Sequence, residues 1–290
     1  MAEITAQLVK ELREMTGAGM MECKKALQEA EGVIEHAVDV LRTRGLAAAA
    51  KKAGRATNEG LVIALVTDDA KSAALVEVNC ETDFVSRNDV FATLANKVAQ
   101  AVLIGAPADE AALNDLDADG QTVAEIITEG IHTIGENIQI SRFKNFAAEK
   151  GAFAFYIHGG GRLGIIVQYD FDNAETAQAD AFKTVAKDIA MQVAAANPGA
   201  VSRDSFDQEV IDKEMSIYKA QAAESGKPEN IQEMMAEGRM EKFYKENALV
   251  EQAFIKDPDT TVRKVLEAAS KETGDTITVV EFERFGLGEA

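Results

Sequence analysis

The middle of this chain is written twice, 91 residues apart and without a gap. GLVIALVTDDAKSAALVEV (Gly60 to Val78) aligns with GAFAFYIHGGGRLGIIVQY (Gly151 to Tyr169). In each half two apolar, β-rich runs flank a polar turn, TDDAKS in one and HGGGRLG in the other, which predicts a hairpin. A helix is predicted after each hairpin. Phe91, Thr93, Ala95, Ala99, Val102 and Pro107 recur as Phe182, Thr184, Ala186, Ala190, Val193 and Pro198. Identity is low, but the register never breaks. The expected fold class is therefore α+β, with two copies of a β-hairpin-plus-helix unit. Each copy should hide one face of its sheet under its helix. A further strand is predicted near Asn137 to Ala148, and a last one over Thr276 to Phe285.

A repeat also isolates what is not repeated. After the second strand the first copy reads NCETDFVSRND (Asn79 to Asp89), where the second reads DFDNAETAQAD. Thr82-Asp83-Phe84-Val85 thus belongs to copy one alone. A Phe and a Val in a polar turn either fold back onto the core or serve a partner, and spacing does not choose. In the first case Phe84 packs locally and Asp89 caps the next helix.

Residues 1–54 form a separate module. They hold eight basic and eight acidic side chains, so the whole net charge of -19 falls on residues 55–290. Three short helices are predicted. Thr5 caps the first, with Ile4, Leu8, Leu12 and Met15 on one face. TGAG (Thr16 to Gly19) breaks it. Cys23, Leu27 and Ala30 line the second, about Met20 to Ala30; Ile34, Ala37, Val38 and Leu41 line the third, about Val33 to Arg44. A core this small is marginal. Met20 and Met21 sit about 100° apart on a helix, so one is expected inward and the other exposed as adaptable contact surface. RTRGLAAAAKKAGR (Arg42 to Arg55) carries five basic residues and no acid. It reads as a helix-prone joint, either a contact for an acidic partner or RNA, or a solvated linker. The expected division is 1–54, then 55–150 and 151–290 as the two core subdomains.

A helical hairpin, about 203–246, is inserted in the last subdomain. Phe206, Val210, Met215, Tyr218 and Ala222 line its first helix. SGKP (Ser225 to Pro228) turns it. Ile231, Met234, Met235, Met240 and Phe243 line the return. A narrow apolar seam of this kind makes a projecting antiparallel coiled coil. Whether the arm meets a partner or a second copy stays open.

Several function classes are excluded. Such an acidic chain lacks the clustered positive charge that nucleic acid demands, and no anionic membrane surface suits it. It contains no Trp and four Tyr, a poor supply of stacking platforms. No apolar run reaches membrane-span length, and the start is not a secretory signal. Cys23 and Cys80 are too few for a disulfide framework and read as small buried side chains, which suits a reducing cytoplasm. His36 and His132 fall in helical patterns, and no metal-ligand spacing occurs. Gly159, Gly161 and Gly164 satisfy G-x-G-x-x-G, but a strand follows where a dinucleotide site needs a helix N-terminus. They read as a hairpin turn beside His158. There is no P-loop. An oxidoreductase built on those glycines, or a plain helical adaptor or peptide-binding protein, are the alternatives to be tested.

Five segments resemble one known family. LVKELREMTGAGMMECKKAL (Leu8 to Leu27) and EVNCETDFVSRN (Glu77 to Asn88) look like the two signatures of bacterial elongation factor Ts. SGKPE (Ser225 to Glu229), EGRMEKF (Glu237 to Phe243) and the spacing of Leu249, Gln252, Phe254, Thr261 and Val262 are similar to it as well. The resemblance implies a cytoplasmic guanine-nucleotide exchange factor for elongation factor Tu, without covalent chemistry, metal or cofactor. It implies a ubiquitin-associated-like three-helix bundle, two core subdomains and a coiled-coil arm. It assigns Thr82, Asp83, Phe84 and Val85 to the element that dislodges magnesium from the partner. Arg13, Met20 and Met21 would meet the same domain of the partner, and His158 would lie near the core contact. Similar sequences from some bacteria continue with a further helical module where this one reads GLGEA; contacts of that module are not carried over.

Overall fold

The computed structural model describes residues 4–16 and 18–289. Three helices open the chain: α1 (Ala6–Thr16), α2 (Met20–Glu29) and α3 (Ile34–Lys52). Gly17, within the expected break, lies outside the described residues. Thr5 Oγ1 caps α1 by accepting the Leu8 N–H at 3.3 Å. Leu12, Cys23, Ala26, Leu27, Ala37 and Leu41 form the bundle's core. Two expectations fail here. Val9, not Met15, faces inward, because α1 packs along its Val9–Leu12 line; Met15 is exposed. Neither Met20 nor Met21 enters the core. Cys23, Ala26 and Leu27 already fill it, and the first turn of α2 projects beyond, leaving the two methionines 55% and 64% exposed.

The third helix also departs from expectation. It does not end at Arg44 but runs on through the basic segment as one 19-residue helix. Alanine is the best helix former, and four of them carry α3 onward. Four of the five charges are used internally, and Lys51 is exposed. Arg42 pairs with Glu125, Arg44 with Glu29 at 2.5 Å and Arg55 with Glu81 at 3.3 Å, while Lys52 Nζ donates to Ile131 O at 3.0 Å. The segment is neither a solvated linker nor a free basic patch.

The repeat becomes two three-stranded antiparallel sheets. The first contains β1 (Glu59–Val66), β2 (Ser72–Cys80) and β3 (Ile138–Ala147), in that order. Between β2 and β3 come α4 (Asp83–Ser86), α5 (Asp89–Gly105), α6 (Glu110–Asn114) and α7 (Val123–Ile134). The second sheet contains β4 (Ala152–His158), β5 (Leu163–Asp170) and β8 (Thr278–Gly286). Between β5 and β8 come α8 (Asp180–Ala196), the arm helices α9 (Gln208–Ala223) and α10 (Glu229–Asn247), the short pair β6 (Ala253–Phe254) and β7 (Asp257–Thr261), and α11 (Val262–Thr273). The offset of 91 survives in fine detail. A bulge falls at Glu77/Val78 in one sheet and at Gln168/Tyr169 in the other. Both long helices, α5 and α8, end on a left-handed residue, Ala106 and Asn197, each at φ 43°.

Each sheet covers one face with its helix, as expected. Val76 and Val78 meet Phe91, Ala95, Val98 and Val102 of α5; Val167 and Tyr169 meet Phe182, Val185 and Val193 of α8. The other faces were not anticipated: they pack on each other. Val62, Leu75, Phe146, Phe153, Ile166 and Phe285 form a shared core between the sheets. The central strands are thus buried on both sides, which is why β2 and β5 read as apolar runs rather than alternating ones.

One end of that inter-sheet core is polar. The Glu77 side chain, 4% exposed, accepts from Arg142 Nε at 2.8 Å and from Asn79 Nδ2 at 3.0 Å. Arg142 also donates to Gly286 O at 2.8 Å and lies over the Phe285 ring, linking both sheets. Removing one member of a buried pair strands the other charge. Arg142→Met is expected to destabilise the fold by about 3–5 kcal/mol, read as a lower urea midpoint with an unchanged slope.

The arm is a helical hairpin with a seam narrower than expected. Ala222, Ala236 and Met240 are buried, whereas Val210 and Met234 point outward. Small side chains bring the helices close, and no width remains for all of the predicted apolar positions. Arg203 anchors the arm's base to Glu251 at 2.7 Å and to Glu241 at 3.1 Å.

Candidate partner-binding site

The unrepeated residues form a single tight turn of helix. Thr82 is its N-cap: its hydroxyl accepts the Val85 N–H at 3.4 Å and donates to Glu136 Oε1 at 2.6 Å. Glu136 Oε2 accepts both the Glu81 and the Thr82 backbone N–H at 3.0 Å. One carboxylate therefore satisfies three donors at the mouth of α4. Asn137 supports this from beneath. Its N–H donates to Glu81 Oε1 at 2.7 Å and its side chain to Arg55 O at 2.9 Å. That backbone bond, followed by Arg55, holds the Glu81 carboxyl below its usual range. Asn88, not Asp89, caps α5, because its Oδ1 accepts the Val90 N–H at 2.8 Å.

Phe84 and Val85 take opposite fates. Val85 folds back and packs against the core of the first sheet. Phe84 projects into solvent, 83% exposed. Adjacent residues on one helical turn must diverge, and Ser86, buried with its hydroxyl on Asp83 O at 3.0 Å, pins the phase. Asp83 is half-exposed and pairs with Arg87 at 3.0 Å.

The second copy carries the same mount without the aromatic. Asn173 caps a short helix over Ala174–Gln178, its side chain accepting the Glu175 N–H at 3.0 Å. Asp275 clamps the Asn173 N–H at 2.9 Å, the Asp172 N–H at 3.4 Å and the Thr176 hydroxyl at 2.8 Å. Those contacts hold its carboxyl below the usual range. Position 84 corresponds to Glu175, also exposed. The fold asks only for a solvent-facing residue there, so folding gives no reason for a Phe.

The other predicted residues stand on separate elements. Arg13 is exposed on α1, and Met20 and Met21 crown α2. His158 is exposed at the end of β4, its Nδ1 3.1 Å from the Tyr156 hydroxyl. Gly159, Gly160 and Gly161 follow it at φ 62°, 67° and 95°, a hairpin turn that packs against β1 through a Val62 N–H bond to Gly161 O of 2.7 Å. Cys80 is buried beneath α4, and burial first, then the Glu136 charge, push its thiol up to about 12. Its thiolate fraction is minimal near neutrality, so thiol reagents at pH 8 are expected to modify Cys80 only after unfolding. Sequence reading missed Glu136 and Asn137, whose roles depend on contacts with residues more than fifty positions away.

Among the described residues no group of three or more His, Cys, Asp or Glu is arranged to hold a metal ion, and no helix is long and apolar enough to cross a membrane. An open groove of about 700 Å³ beside α11 and β8 contains none of the predicted residues. Fold and site together define a class: an α+β protein of two duplicated units whose distinctive feature is a rigidly mounted, outward aromatic on one unit only. The family model described as elongation factor TS matches residues 81–289. An elongation factor Ts of Clostridium kluyveri is 47% identical over 289 residues, covering 99% of this chain and 93% of that protein. One from Clostridium perfringens is 49% identical over 288 residues, and one from Trichlorobacter lovleyi 46% over 289, with the same coverage. The chain belongs to the elongation factor Ts family of translation elongation factors.

Proposed function

We propose that this chain is a guanine-nucleotide exchange factor that acts in the cytoplasm on elongation factor Tu. It binds the GDP-bound partner, displaces magnesium, promotes GDP release and stays bound to the nucleotide-free form until GTP enters. The observation that carries this reading is Phe84, 83% exposed on a mount whose other copy bears a charge. A GTPase holds its diphosphate through magnesium and a phosphate cradle. Phe84 wedges between packed elements of the partner, and Asp83 holds the groups it shifts. Thr82 and Val85 fix the direction of the wedge, one by capping, the other by anchoring in the core. Arg13, Met20 and Met21 of the N-terminal, ubiquitin-associated-like bundle make a second contact, and His158 a third from the core. Coupling is reciprocal: the factor weakens nucleotide binding by the ratio in which nucleotide weakens the factor's. A thousandfold faster release takes about 4 kcal/mol off the barrier. Burying one Phe contributes about 1.5–3 kcal/mol, so the remainder falls to the wider contact.

The test is release of labelled GDP from elongation factor Tu with and without this chain. Acceleration supports exchange; an unchanged rate leaves the adaptor reading. Light scattering on the same samples reports whether the arm pairs two copies.

A further inference from the structure

Two of the contacts just assigned, the methionines of α2 and the Phe84 turn, lie on parts that a flexible joint would leave independent. Their independence matters, because a wedge strains its target only when something holds it in place. α3 is one helix across that joint, and its second half lies on α7. Gly45, buried in α3, faces α7: a β-carbon there would sit 3.6 Å from Thr128 Cγ2 and 3.9 Å from His132 Cβ. Those distances are ordinary contact, so the helices already touch and nothing larger than a methyl fits. Arg42 pairs with Glu125 at the start of α7. Glu22 of α2 brings Oε2 within 3.2 Å of His132 Nε2, inside ion-pair reach though without hydrogen-bond geometry. Lys52 donates to Ile131 O, a carbonyl in the last turn of α7 that also accepts the Gly135 N–H, at the helix end where a cation is favoured.

The same helix then hands the connection on. α7 closes at Gly135, and the next residue is Glu136, the clamp on Glu81 and Thr82. An unbroken line of contacts therefore runs from the bundle through α3, α7 and Glu136 to the Phe84 turn.

We propose that the seating of α3 on α7 is a positioning device, with Gly45 as its key residue, that holds the bundle's contact and the Phe84 wedge at one fixed separation. The inference rests on the exchange reading. A preorganised pair of contacts avoids the ordering cost that a tethered pair incurs at the moment of binding. It also transmits the anchoring force of one contact to the other. Gly45 is a positioning residue that touches no partner.

The experiment places spin labels on exposed sites of the bundle and the core, Glu35→Cys with Asp119→Cys, in the full chain, and measures their distance distribution beside labelled-GDP release. The wild-type background is expected to give one narrow distance. Gly45→Leu levers the helices apart: the distribution broadens and the saturating release rate falls about tenfold, about 1.36 kcal/mol on the barrier. Adding Thr128→Ala and His132→Ala makes room and restores both. Gly45→Ala changes neither. If Gly45→Leu does not fold, Arg42→Glu with Lys52→Ala loosens the seat from its edges, and Arg42→Lys alone leaves it in place. A broad distribution in the wild-type background overturns the proposal. So does a broadened variant that keeps its full rate. A wild-type chain without effect on GDP release overturns the exchange reading, and this one with it, whatever the distances show.

Discussion

Phe84→Ala is expected to lower the chain's acceleration of GDP release about a hundredfold, about 2.7 kcal/mol on the barrier, with almost no loss of stability. The two effects separate because the ring is 83% exposed and buries little in its own subunit. Exposed substitutions away from caps and cores change stability by about 0.5 kcal/mol or less. Phe84→Glu is the sharper variant. Glu175 occupies the matching place in the second copy, on a short helix held by the same kind of carboxylate clamp. The fold accepts a carboxylate there, so a loss of exchange with an unchanged melting curve isolates the aromatic ring as the agent. A Phe84→Glu chain that exchanges at the full rate would remove the wedge from the mechanism while leaving the family assignment intact.

Gly151→Ala is expected to destabilise the protein by more than about 4 kcal/mol, and Gly60→Ala by a similar amount. Both glycines begin a hairpin, and the repeat puts them in equivalent places. A β-carbon on Gly151 would stand 1.8 Å from Tyr169 O; on Gly60, 2.2 Å from Val78 O. Those oxygens are backbone atoms of paired strands and cannot move aside without breaking the ladder. Gly151 also has φ 70°, which disfavours any side chain. Gly120→Ala is the control. It has φ 85° and open space around its α-carbon, so only the backbone penalty of about 1–2 kcal/mol applies. Domains of ordinary stability hold about 5–15 kcal/mol, so the two hairpin variants should show sharply lower denaturant midpoints and poor recovery of folded protein. Equal midpoints for Gly151→Ala and Gly120→Ala would contradict the argument.

How far these features could be read in advance varied with their range along the chain. The hairpins, α5 and α8 were legible because period-two and period-3.6 patterns are local and the repeat doubles each signal. The extent of α3 beyond Arg44 was not legible, because a glycine, Gly45, interrupts the local pattern there. Gly45 costs about 1 kcal/mol in a helix, but α7 lies against it and the alanines beyond it favour continuation. That Met20 and Met21 are both exposed was not legible, because which face of a short helix wins depends on how many neighbours reach it. The clamp was hidden for a different reason. Glu136 and Asp275 do the same work, yet they are not 91 apart, since the helical arm inserted before β8 shifts the second out of register.

The amino-acid order alone determined that there are two copies of one unit, where their strands and long helices run, and that the residues of Thr82 to Val85 are not repeated in the second copy. Those facts are carried by side-chain periodicity within a few residues of each position, and a repeat exposes any departure from it. Only the folded molecule decided that Val85 turns inward while Phe84 stands in water, that the two sheets share a core, and that the basic segment is spent on α7 and neighbouring carboxylates. Each of these is a contest between distant groups for the same space or the same charge. Its outcome depends on which surfaces the chain brings together, and no local pattern records that.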